Sequence, residues 1–402
     1  MKYLPLFTFV LLLSCKNEMR PALFQDVNQK NTIDLSFDTV CYTSSSVFNE
    51  VKIINLETKS ESLFSKIDQF ITNDSEFIIL DKASNKILVF DKSGKFKFTF
   101  QDSYSNIKLD FSELVGNRFD NNYLVKTSNT SSLYLFNANG KIVDEINLNV
   151  DFNYYYLLRN KIFYIKNYRN EKVESKENMT EPLLGVYDLK TKKITSQLLD
   201  YQPQNIYKTD MYDKQYGMFS KDENSFFLTI PGSPSYFTIT DTNTVVETAL
   251  NSTNSKIKLI PNDFLFNTKY LGNRKKYLNN HPSMIYVVES IFQVKNQKIL
   301  TLGGLNRSHI IIDRDKEYIP QENLIYNTAF FGAIPPINQE VIGADDKNFY
   351  SHYPSRQFFE LINSMPFKDN VLNMNVDINR VYNQNNLMAN PIIISFNLKN
   401  IH

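Results

Sequence analysis

"FIILDKASNKILVFDKSGKFKFTF", residues 77 to 100, reads as three strands joined by two turns. Asp91 can accept hydrogen bonds from the second turn's backbone, and Gly94 tolerates the positive φ that closes a four-residue loop. After this turn apolar residues alternate strictly, which predicts that Phe96, Phe98 and Phe100 share one buried face. The stretch therefore belongs to a β-sheet scaffold.

The second hairpin recurs along the chain. "ILVFDKSGK" (residues 87–95) aligns with "LYLFNANGK" (133–141), and weaker copies follow at 184–194, 236–246 and 309–318. The residues assigned to open the turns are Asp91, Asn137, Asp188, Asp241 and Asp313. Their spacings of 46, 51, 53 and 72 residues suit units of about four strands.

A sixth unit is expected to begin at residues 340–353 and to end with "NPIIISFNLK", residues 390–399. One blade cannot bury both of its faces alone, so such units must stack in a ring. The repeats predict an all-β fold: a six-bladed β-propeller of four-stranded antiparallel blades. Aromatic residues, including 31 Phe and 24 Tyr, make up 14% of the 402 residues and favour strands.

The first fifteen residues, "MKYLPLFTFVLLLSC", have the pattern of a signal peptide: Lys2, a short apolar run and a small residue before Cys15. "LLSC" resembles a bacterial lipobox, in which the Cys thiol is acylated. An ordinary signal peptide with an incidental Cys is the alternative. We expect a lipoprotein signal peptide at 1–14, an acylated Cys15 with a flexible tether over 15–32, and a single propeller domain over 33–402.

Lys16 stands where an Asp would, by resemblance to a known sorting rule, retain a lipoprotein at the inner membrane, so we expect the outer membrane. The side of that membrane, periplasm or cell surface, is left open. Cys41 is the only other cysteine, and acylation of Cys15 would leave it no disulfide partner. A half-buried strand thiol is expected there.

Residues 51–96 resemble the opening blade of the six-bladed β-propeller lipoproteins of Gram-negative bacteria, distant relatives of NHL-repeat propellers. "LET" (56–58), "ILD" (79–81) and "VFDKSGK" (89–95) carry the resemblance. Residues 390–399 resemble that family's closing strand, which completes the ring. The resemblance implies a lipid-anchored protein found beside outer-membrane nutrient-uptake systems, and it implies no shared reaction.

No catalytic residue, metal site or cofactor is predicted. The four histidines lack zinc-binding spacing. "GADDKN" (343–348) offers Asp345 and Asp346 as oxygen ligands but lacks a full calcium-loop pattern, and a solvated turn is expected. The formal net charge of +1 gives no electrostatic reason to expect a nucleic-acid partner.

Two long connections are candidate binding loops, because recognition commonly resides in propeller loops. Residues 201–219 contribute three tyrosines as low-entropy contact residues: Tyr207, Tyr212 and Tyr216. Residues 269–286 contribute Arg274 and His281. Either loop could equally be a packed connection between blades.

These features predict a lipid-anchored envelope propeller that acts as a non-catalytic binding or assembly component. Its expected partners are the membrane, through the lipid, and another envelope protein, a peptide or a glycan. The alternative is a carbohydrate-active or other hydrolytic enzyme that uses carboxylates and tyrosines at the channel mouth. Whether the protein is an enzyme is left open, with the non-catalytic role preferred.

Overall fold

The structure is a computed structural model. The residues that it describes are 24, 26–35, 41–116, 119, 122–150, 152–166, 181–201, 217–252, 258–261, 263–265, 267–270, 272–304, 308–314, 317–320, 324–325, 334–384 and 386–400.

Strands dominate the described residues. Before the first blade lie β1 (Gln29–Asp34), β2 (Tyr42–Thr43) and β3 (Phe48–Asn55). Blade 1 consists of β4 (Gln69–Thr72), β5 (Glu76–Asp81), β6 (Lys86–Asp91) and β7 (Phe96–Thr99). The hairpin of β8 (Ser103–Tyr104) and β9 (Ile107–Lys108) leads to blade 2, formed by β10 (Phe111–Val115), β11 (Asn122–Thr127), β12 (Leu133–Asn137) and β13 (Ile142–Ile146).

The same meander continues through the next three blades. Blade 3 consists of β14 (Phe152–Leu158), β15 (Lys161–Lys166), β16 (Glu181–Asp188) and β17 (Lys193–Tyr201). Blade 4 consists of β18 (Gly217–Asp222), β19 (Ser225–Thr229), β20 (Ser235–Thr240) and β21 (Val245–Asn251). After the short pair β22 (Lys258–Leu259) and β23 (Met284–Ile285), blade 5 consists of β24 (Val287–Val294), β25 (Gln297–Gly303), β26 (Ser308–Asp313) and β27 (Glu317–Pro320).

Blade 6 is assembled from both ends of the chain. After β28 (Leu324–Ile325), which pairs with β2, its strands are β29 (Val341–Ala344), β30 (Phe349–Tyr353) and β31 (Ile392–Leu398), and its fourth strand is β3. The six four-stranded antiparallel blades form the predicted β-propeller.

Hydrophobic clusters between neighbouring blades hold the ring together, and β5 shows how its sequence serves two of them. Phe77 and Ile79 pack toward Tyr350 of blade 6, whereas Ile78 and Leu80 pack toward Tyr123 of blade 2. A central strand with both faces buried needs a continuous apolar run rather than an alternating one. "FIIL" is therefore the sequence of a stacked blade.

A β-bulge places the alternating phenylalanines of β7 on two different faces of the blade. The β6–β7 register shifts between Val89 and Phe90, so that Phe96 pairs with Phe90, and Phe98 pairs with Val89. One extra residue turns the following side chains to the opposite face. Phe96 accordingly packs toward blade 6, and Phe98 packs with Phe100 toward blade 2. The prediction of one shared face was wrong.

The ring closes through β3, which pairs antiparallel with β31. Residues 51–55 therefore belong to the last blade and not to the opening one, and β31 is the third strand of blade 6 rather than its final partner. The blade 1 hairpin rests on the chain that leaves β3. The Glu57 amide donates to the Gly94 carbonyl at 2.8 Å, and the Phe96 amide donates to the Glu57 carboxylate at 3.0 Å.

The segment that precedes β3 is packed on the propeller. Phe24 is 2% exposed and lies edge-on against Phe237 of blade 4, with ring centroids 5.3 Å apart. The Asp26 carboxylate accepts hydrogen bonds from the Leu199 and Asp200 amides of blade 3. β1 then adds a parallel fifth strand to blade 4. Residues 29–32, assigned to the tether from sequence, lie in this strand.

The predicted turn chemistry holds in blades 1 and 2. The Asp91 carboxylate accepts hydrogen bonds from the Ser93 and Lys95 amides, and Gly94 has φ of +88°. Asn137 and Gly140 repeat this arrangement in blade 2. In blade 4 the turn begins at Thr240, whose hydroxyl accepts the Thr244 amide, so the assignment to Asp241 was one residue late.

Helices occupy two insertions in which the sequence analysis predicted no helix. After the short helix α1 (Ser44–Val47), a 3₁₀ turn (Thr268–Tyr270) and α2 (Arg274–Asn280) lie between blades 4 and 5. Blade 6 contains α3 (Ser355–Ser364), α4 (Lys368–Met374) and α5 (Val376–Gln384) between β30 and β31. Within the described residues, no helix has the length and apolarity needed to span a membrane.

Candidate functional site

A cavity of about 420 Å³ lies on the propeller axis. The innermost strands of all six blades line it: β4, β10, β14, β18, β24 and β29. Ligand pockets commonly have volumes of roughly 300–1,000 Å³, so this axial cavity has room for a small ligand or a single side chain of a partner.

Carboxylates from four blades line the axial cavity: Asp68, Glu113, Glu289 and Glu340. None of the described lining residues is a Lys, Arg or His. Asp68 is partly compensated, because it lies 3.1 Å from the Lys66 ammonium and accepts the Lys82 amide at 2.9 Å. The described wall of the axial cavity therefore contains acidic side chains and no basic ones, and Glu289 and Glu340 also interact with other groups of the protein.

Glu113 occupies a position set by local backbone irregularity. The β10–β11 register shifts between Phe111 and Glu113, and such bulges re-aim side chains. The flanking backbone is fixed by two hydrogen bonds: the Tyr155 hydroxyl donates to the Glu113 carbonyl at 3.3 Å, and the Leu114 amide donates to Gln69 Oε1 at 2.6 Å.

Burial raises the pKa of the Glu113 carboxyl, against the opposing effect of the Lys126 and Lys82 charges. The Lys126 ammonium donates its hydrogen bond to the Phe152 carbonyl, at 3.3 Å, and not to the Glu113 carboxylate. Among the described residues, no group donates a hydrogen bond to the Glu113 carboxylate. Glu113 is thus a desolvated acid in the wall of an open cavity.

Aromatic rings supply much of the remaining wall. Phe70, Tyr154, Phe219 and Phe292 come from four different blades, and each is half-buried. Phe219 and Phe292 meet edge to face, with centroids 5.5 Å apart. Phe70 lies against the backbone of Gly343, where a Cβ would be 2.7 Å from its ring, so residue 343 must remain glycine for the ring to stay there.

A polar network lies behind Phe70, at the boundary of blades 1 and 6. The Lys92 ammonium donates to Asp345 at 2.8 Å and to the Tyr350 hydroxyl at 3.1 Å, and it also contacts the Thr72 hydroxyl. It lies 4.6 Å from the Phe77 ring centroid and 4.7 Å from that of Tyr350. An ammonium group is thus held by a carboxylate, two hydroxyls and two rings.

The Asp345 carboxylate is fully used by this network and by its own turn. Its second oxygen accepts the Lys347 and Asn348 amides. Burial raises the pKa of Asp345, but hydrogen bonds from Lys92 and Tyr350 outweigh it and hold that pKa below its usual value. At Lys92 burial dominates and lowers the pKa of the ammonium.

The prediction for "GADDKN" is therefore half right. It is a turn, but Asp345 is buried and pairs with Lys92. No group of metal-ligating side chains occurs among the described residues.

The structure describes only some of the residues that the sequence analysis singled out. Cys15, Tyr207, Tyr212 and Tyr216 lie outside the described residues, so their roles stay predictions. Cys41 is described, and it is exposed rather than half-buried in a strand.

The 269–286 connection is a packed unit rather than an open loop. Arg274 is 1% exposed, and its guanidinium donates to the Phe264 and Leu265 carbonyls at 3.0 and 2.7 Å. This position gives Arg274 a structural role and makes it inaccessible to a partner. His281 is exposed and stacks on Tyr277, with ring centroids 4.3 Å apart. The structure brings none of these residues into the axial cavity.

Sequence reasoning missed the carboxylates of the axial cavity. A detectable signal existed: Glu113 is the third residue of β10 in "FSELV", and Glu289 is the third residue of β24 in "VVESIFQV". A glutamate at the same position of the first strand in two blades is unexpected for a buried strand, because acidic side chains are rarely buried. Aligning first strands instead of hairpins would have found both.

Comparison with known proteins supports the fold. Residues 25–103, which include β1, β3 and blade 1, match a protein family described as "6-bladed beta-propeller". The crystal structure of a "Putative exported protein" from Bacteroides fragilis superposes with a TM-score of 0.65 at 15% sequence identity, covering 92% of this chain and 100% of that one. At this identity the likeness establishes the propeller fold alone.

Two further solved structures are less similar, and no property of this protein is inferred from them. One is a member of the duf4221 family from Bacteroides vulgatus, with a TM-score of 0.49, 14% identity, and coverage of 88% of this chain and 98% of that one. The other is streptogramin B lyase, with a TM-score of 0.40, 12% identity and the same coverage. A search of curated proteins found no match.

Proposed function

We propose that this protein is a lipid-anchored envelope propeller that acts as a non-catalytic binding component, accessory to an outer-membrane nutrient-uptake system. The observation that carries the binding role is the axial cavity, which strands of all six blades line and whose wall contains carboxylates and half-buried rings. A purely structural ring could fill its axis with apolar side chains, as small barrels do. This ring instead leaves room of ligand size.

The proposed anchor agrees with the course of the N-terminal segment. Phe24 and Asp26 dock on blades 3 and 4, so only residues 16–23 separate the propeller body from Cys15. Eight extended residues span at most about 30 Å, which would hold the rim of those blades close to the lipid surface. The description of the B. fragilis relative as an exported protein supports an envelope location.

Metabolic labelling with an alkyne palmitate analogue tests the anchor. Wild-type protein should be labelled, and Cys15→Ser should lose the label. Cys41→Ser is the matched control, because Cys41 is the only other cysteine and is exposed; it should keep the label. Labelling that persists in Cys15→Ser would refute the anchor.

Affinity purification from the protein's own membranes, with partners identified by mass spectrometry, tests the accessory role. We expect an uptake protein to be enriched over a mock purification. The tyrosine-containing connection between β17 and β18, residues 202–216, and His281 are the proposed partner contacts, so deleting residues 202–216 should reduce the yield of the partner. An unchanged yield would remove the loop from the proposal.

A carboxylate-based hydrolase is the second candidate, and Glu113 favours it. A buried carboxyl with a raised pKa can act as a general acid, and further carboxylates line the same cavity. Incubation with a panel of polysaccharides, followed by measurement of reducing ends, tests it. Turnover by the wild type that is lost in Glu113→Gln would establish the enzyme, and its absence across the panel would favour the binding role.

A further inference from the structure

We propose that the axial cavity binds a neutral sugar ring, presented either by a free monosaccharide or by the terminal residue of a glycan. This inference rests on the proposed binding function and specifies its ligand. It combines four features of the axial cavity: the backbone irregularities at one of its ends, its hydrogen-bonding groups, the orientation of its aromatic rings and its volume.

The innermost strands depart from regular pairing at one end of the axial cavity. The pairing register shifts within the first four residues of four of them: β10, β14, β24 and β29. Each blade repeats the same meander around the ring, so the four irregularities lie at the same end of the cavity. Bulges are frequent at barrel rims and beside active sites, where they re-aim side chains. This end of the cavity therefore has the backbone of a shaped site rather than of a regular channel.

The bulge of β10 places a carboxyl group in the wall that suits a hydroxyl partner. Burial raises the pKa of Glu113, and a hydroxyl can pair with either form, since it donates to a carboxylate and accepts from a protonated carboxyl. Gln69 lines the cavity beside Glu113 and accepts the Leu114 amide through Oε1, so the amide nitrogen of the same side chain adds donors. A sugar hydroxyl both donates and accepts, and it can therefore pair with each of these groups.

The aromatic rings supply apolar surfaces in more than one orientation. Phe219 and Phe292 meet at an interplanar angle of 69°, which forms an aromatic corner in the wall. Phe70 belongs to blade 1, on the other side of the ring from blade 4, to which Phe219 belongs. The negative face of an aromatic ring attracts the C–H groups that cover the face of a sugar ring. A ligand with apolar faces and a hydroxylated rim fits such a wall.

The volume of the axial cavity limits how much of a glycan can enter. At about 420 Å³ it lies toward the lower end of the range of roughly 300–1,000 Å³ that is usual for ligand pockets. A free monosaccharide or the end of a chain suits this volume, whereas the body of a polysaccharide would remain outside.

Isothermal titration calorimetry on the full-length protein tests the proposal, in a polyoxyethylene detergent because its headgroup is not a sugar. The probes are glucose, galactose, mannose and N-acetylglucosamine, each with its methyl α- and β-glycosides. Cyclohexylmethanol is the control, since it has a six-membered ring but only one hydroxyl. At least one sugar should bind, and cyclohexylmethanol should bind at least about tenfold more weakly, because it leaves buried polar groups of the wall without partners.

The glycosides distinguish the two sources of the sugar ring. A free sugar that binds at least about tenfold more tightly than both of its methyl glycosides identifies a monosaccharide ligand, because the free anomeric hydroxyl is then a recognised group. A methyl glycoside that binds as well as the free sugar identifies the terminal residue of a glycan.

Variants assign the binding to the axial cavity. Glu113→Leu should weaken binding of the best sugar about tenfold or more, whereas Glu61→Leu, the same change at an exposed residue outside the cavity, should bind like the wild type. Phe292→Ala, which opens the aromatic corner, should also weaken binding, and it provides the cavity variant if Glu113→Leu does not fold by circular dichroism.

Three results would overturn the proposal: no sugar binds the wild type, cyclohexylmethanol binds as well as the best sugar, or the folded cavity variants bind that sugar like the wild type. Recovery of an envelope partner from membranes is unaffected by any of these results, so the binding role can survive the loss of this ligand class.

Discussion

Blade 1 and blade 6 occupy neighbouring places in the ring but are built differently. Blade 1 is one continuous meander, from Gln69 to Thr99, with a standard Asp91–Gly94 turn. Blade 6 takes β3 from the start of the chain and β31 from its end, and it contains a three-helix insertion. Repeat patterns reveal the first kind of blade, whereas the second depends on pairings between distant residues. We therefore expect ring stability to be concentrated where blade 6 closes.

The largest effect is expected at Phe396 of β31. Its ring is fully buried between Phe48 and Phe349, with centroid distances of 5.5 and 5.8 Å, and so it joins both ends of the chain. Phe396→Ala should lower the free energy of unfolding by about 3–5 kcal/mol, measured by urea denaturation. Phe98→Ala on the half-buried outer strand of blade 1 is the comparison, and equal losses would contradict the difference between the blades.

The next effect is expected at the Lys92–Asp345 pair, which joins the two blades. Lys92→Met leaves the Asp345 carboxylate without its ammonium partner and should cost about 1.5–3 kcal/mol. Adding Asp345→Asn to Lys92→Met should cost less than the sum of the single changes. Arg356→Met, in an exposed pair on α3, should change stability by about 0.5 kcal/mol or less.

A series of glycine substitutions tests the contact between the blade 1 hairpin and the chain that leaves β3. Gly94, Gly140 and Gly272 all have positive φ, so alanine costs each about 1 kcal/mol in backbone strain. A Cβ at Gly94 would also lie 2.2 Å from the Asn55 carbonyl oxygen, and at Gly140 it would meet the Phe100 ring, whereas at Gly272 it would meet none of the described residues. Losses should rank Gly94→Ala, Gly140→Ala and Gly272→Ala by thermal denaturation, and any other order would contradict the contact.

The smallest effect is a change in acid sensitivity. The folded-state pKa of Asp345 lies below its usual value, so its stabilisation is present above the unfolded-state pKa of about 3.9 and is lost as pH falls through the folded-state pKa. Between about pH 6 and pH 3, the free energy of unfolding should fall more for the wild type than for Asp345→Asn.

The sequence was sufficient to predict the blades that are formed by one continuous segment of the chain. "FIILD" and "ILVFDKSGK" carry both the two-faced burial of the central strands and the turn chemistry, and both features are local. The pairing of β3 with β31 could not be predicted, because neither FNEVKIIN nor IIISFNL contains a local signal that identifies its partner strand. The bulge at Phe96 was missed for a related reason: alternation predicts faces only while the register is unbroken.

The sequence of the helical insertion in blade 6 contains a helical periodicity that the search for strands missed. Phe358, Phe359 and Ile362 recur at helical spacing and are buried in α3. The axial cavity was beyond prediction for a geometric reason. Successive carboxylates along the chain are 45, 176 and 51 residues apart, and they meet only because six first strands converge on one axis.

The parallel strand β1 and the closing strand β3 also bear on how the protein is made. Gln29 pairs with Val246, and Phe48 pairs with Leu398, so the first strands to be synthesised wait for partners 217 and 350 residues away. Contacts of such long range slow folding. A chain exported in an unfolded state would gain from this delay, because the ring cannot close until the last strand has crossed the membrane. The order of assembly would then delay ring closure until transport is complete.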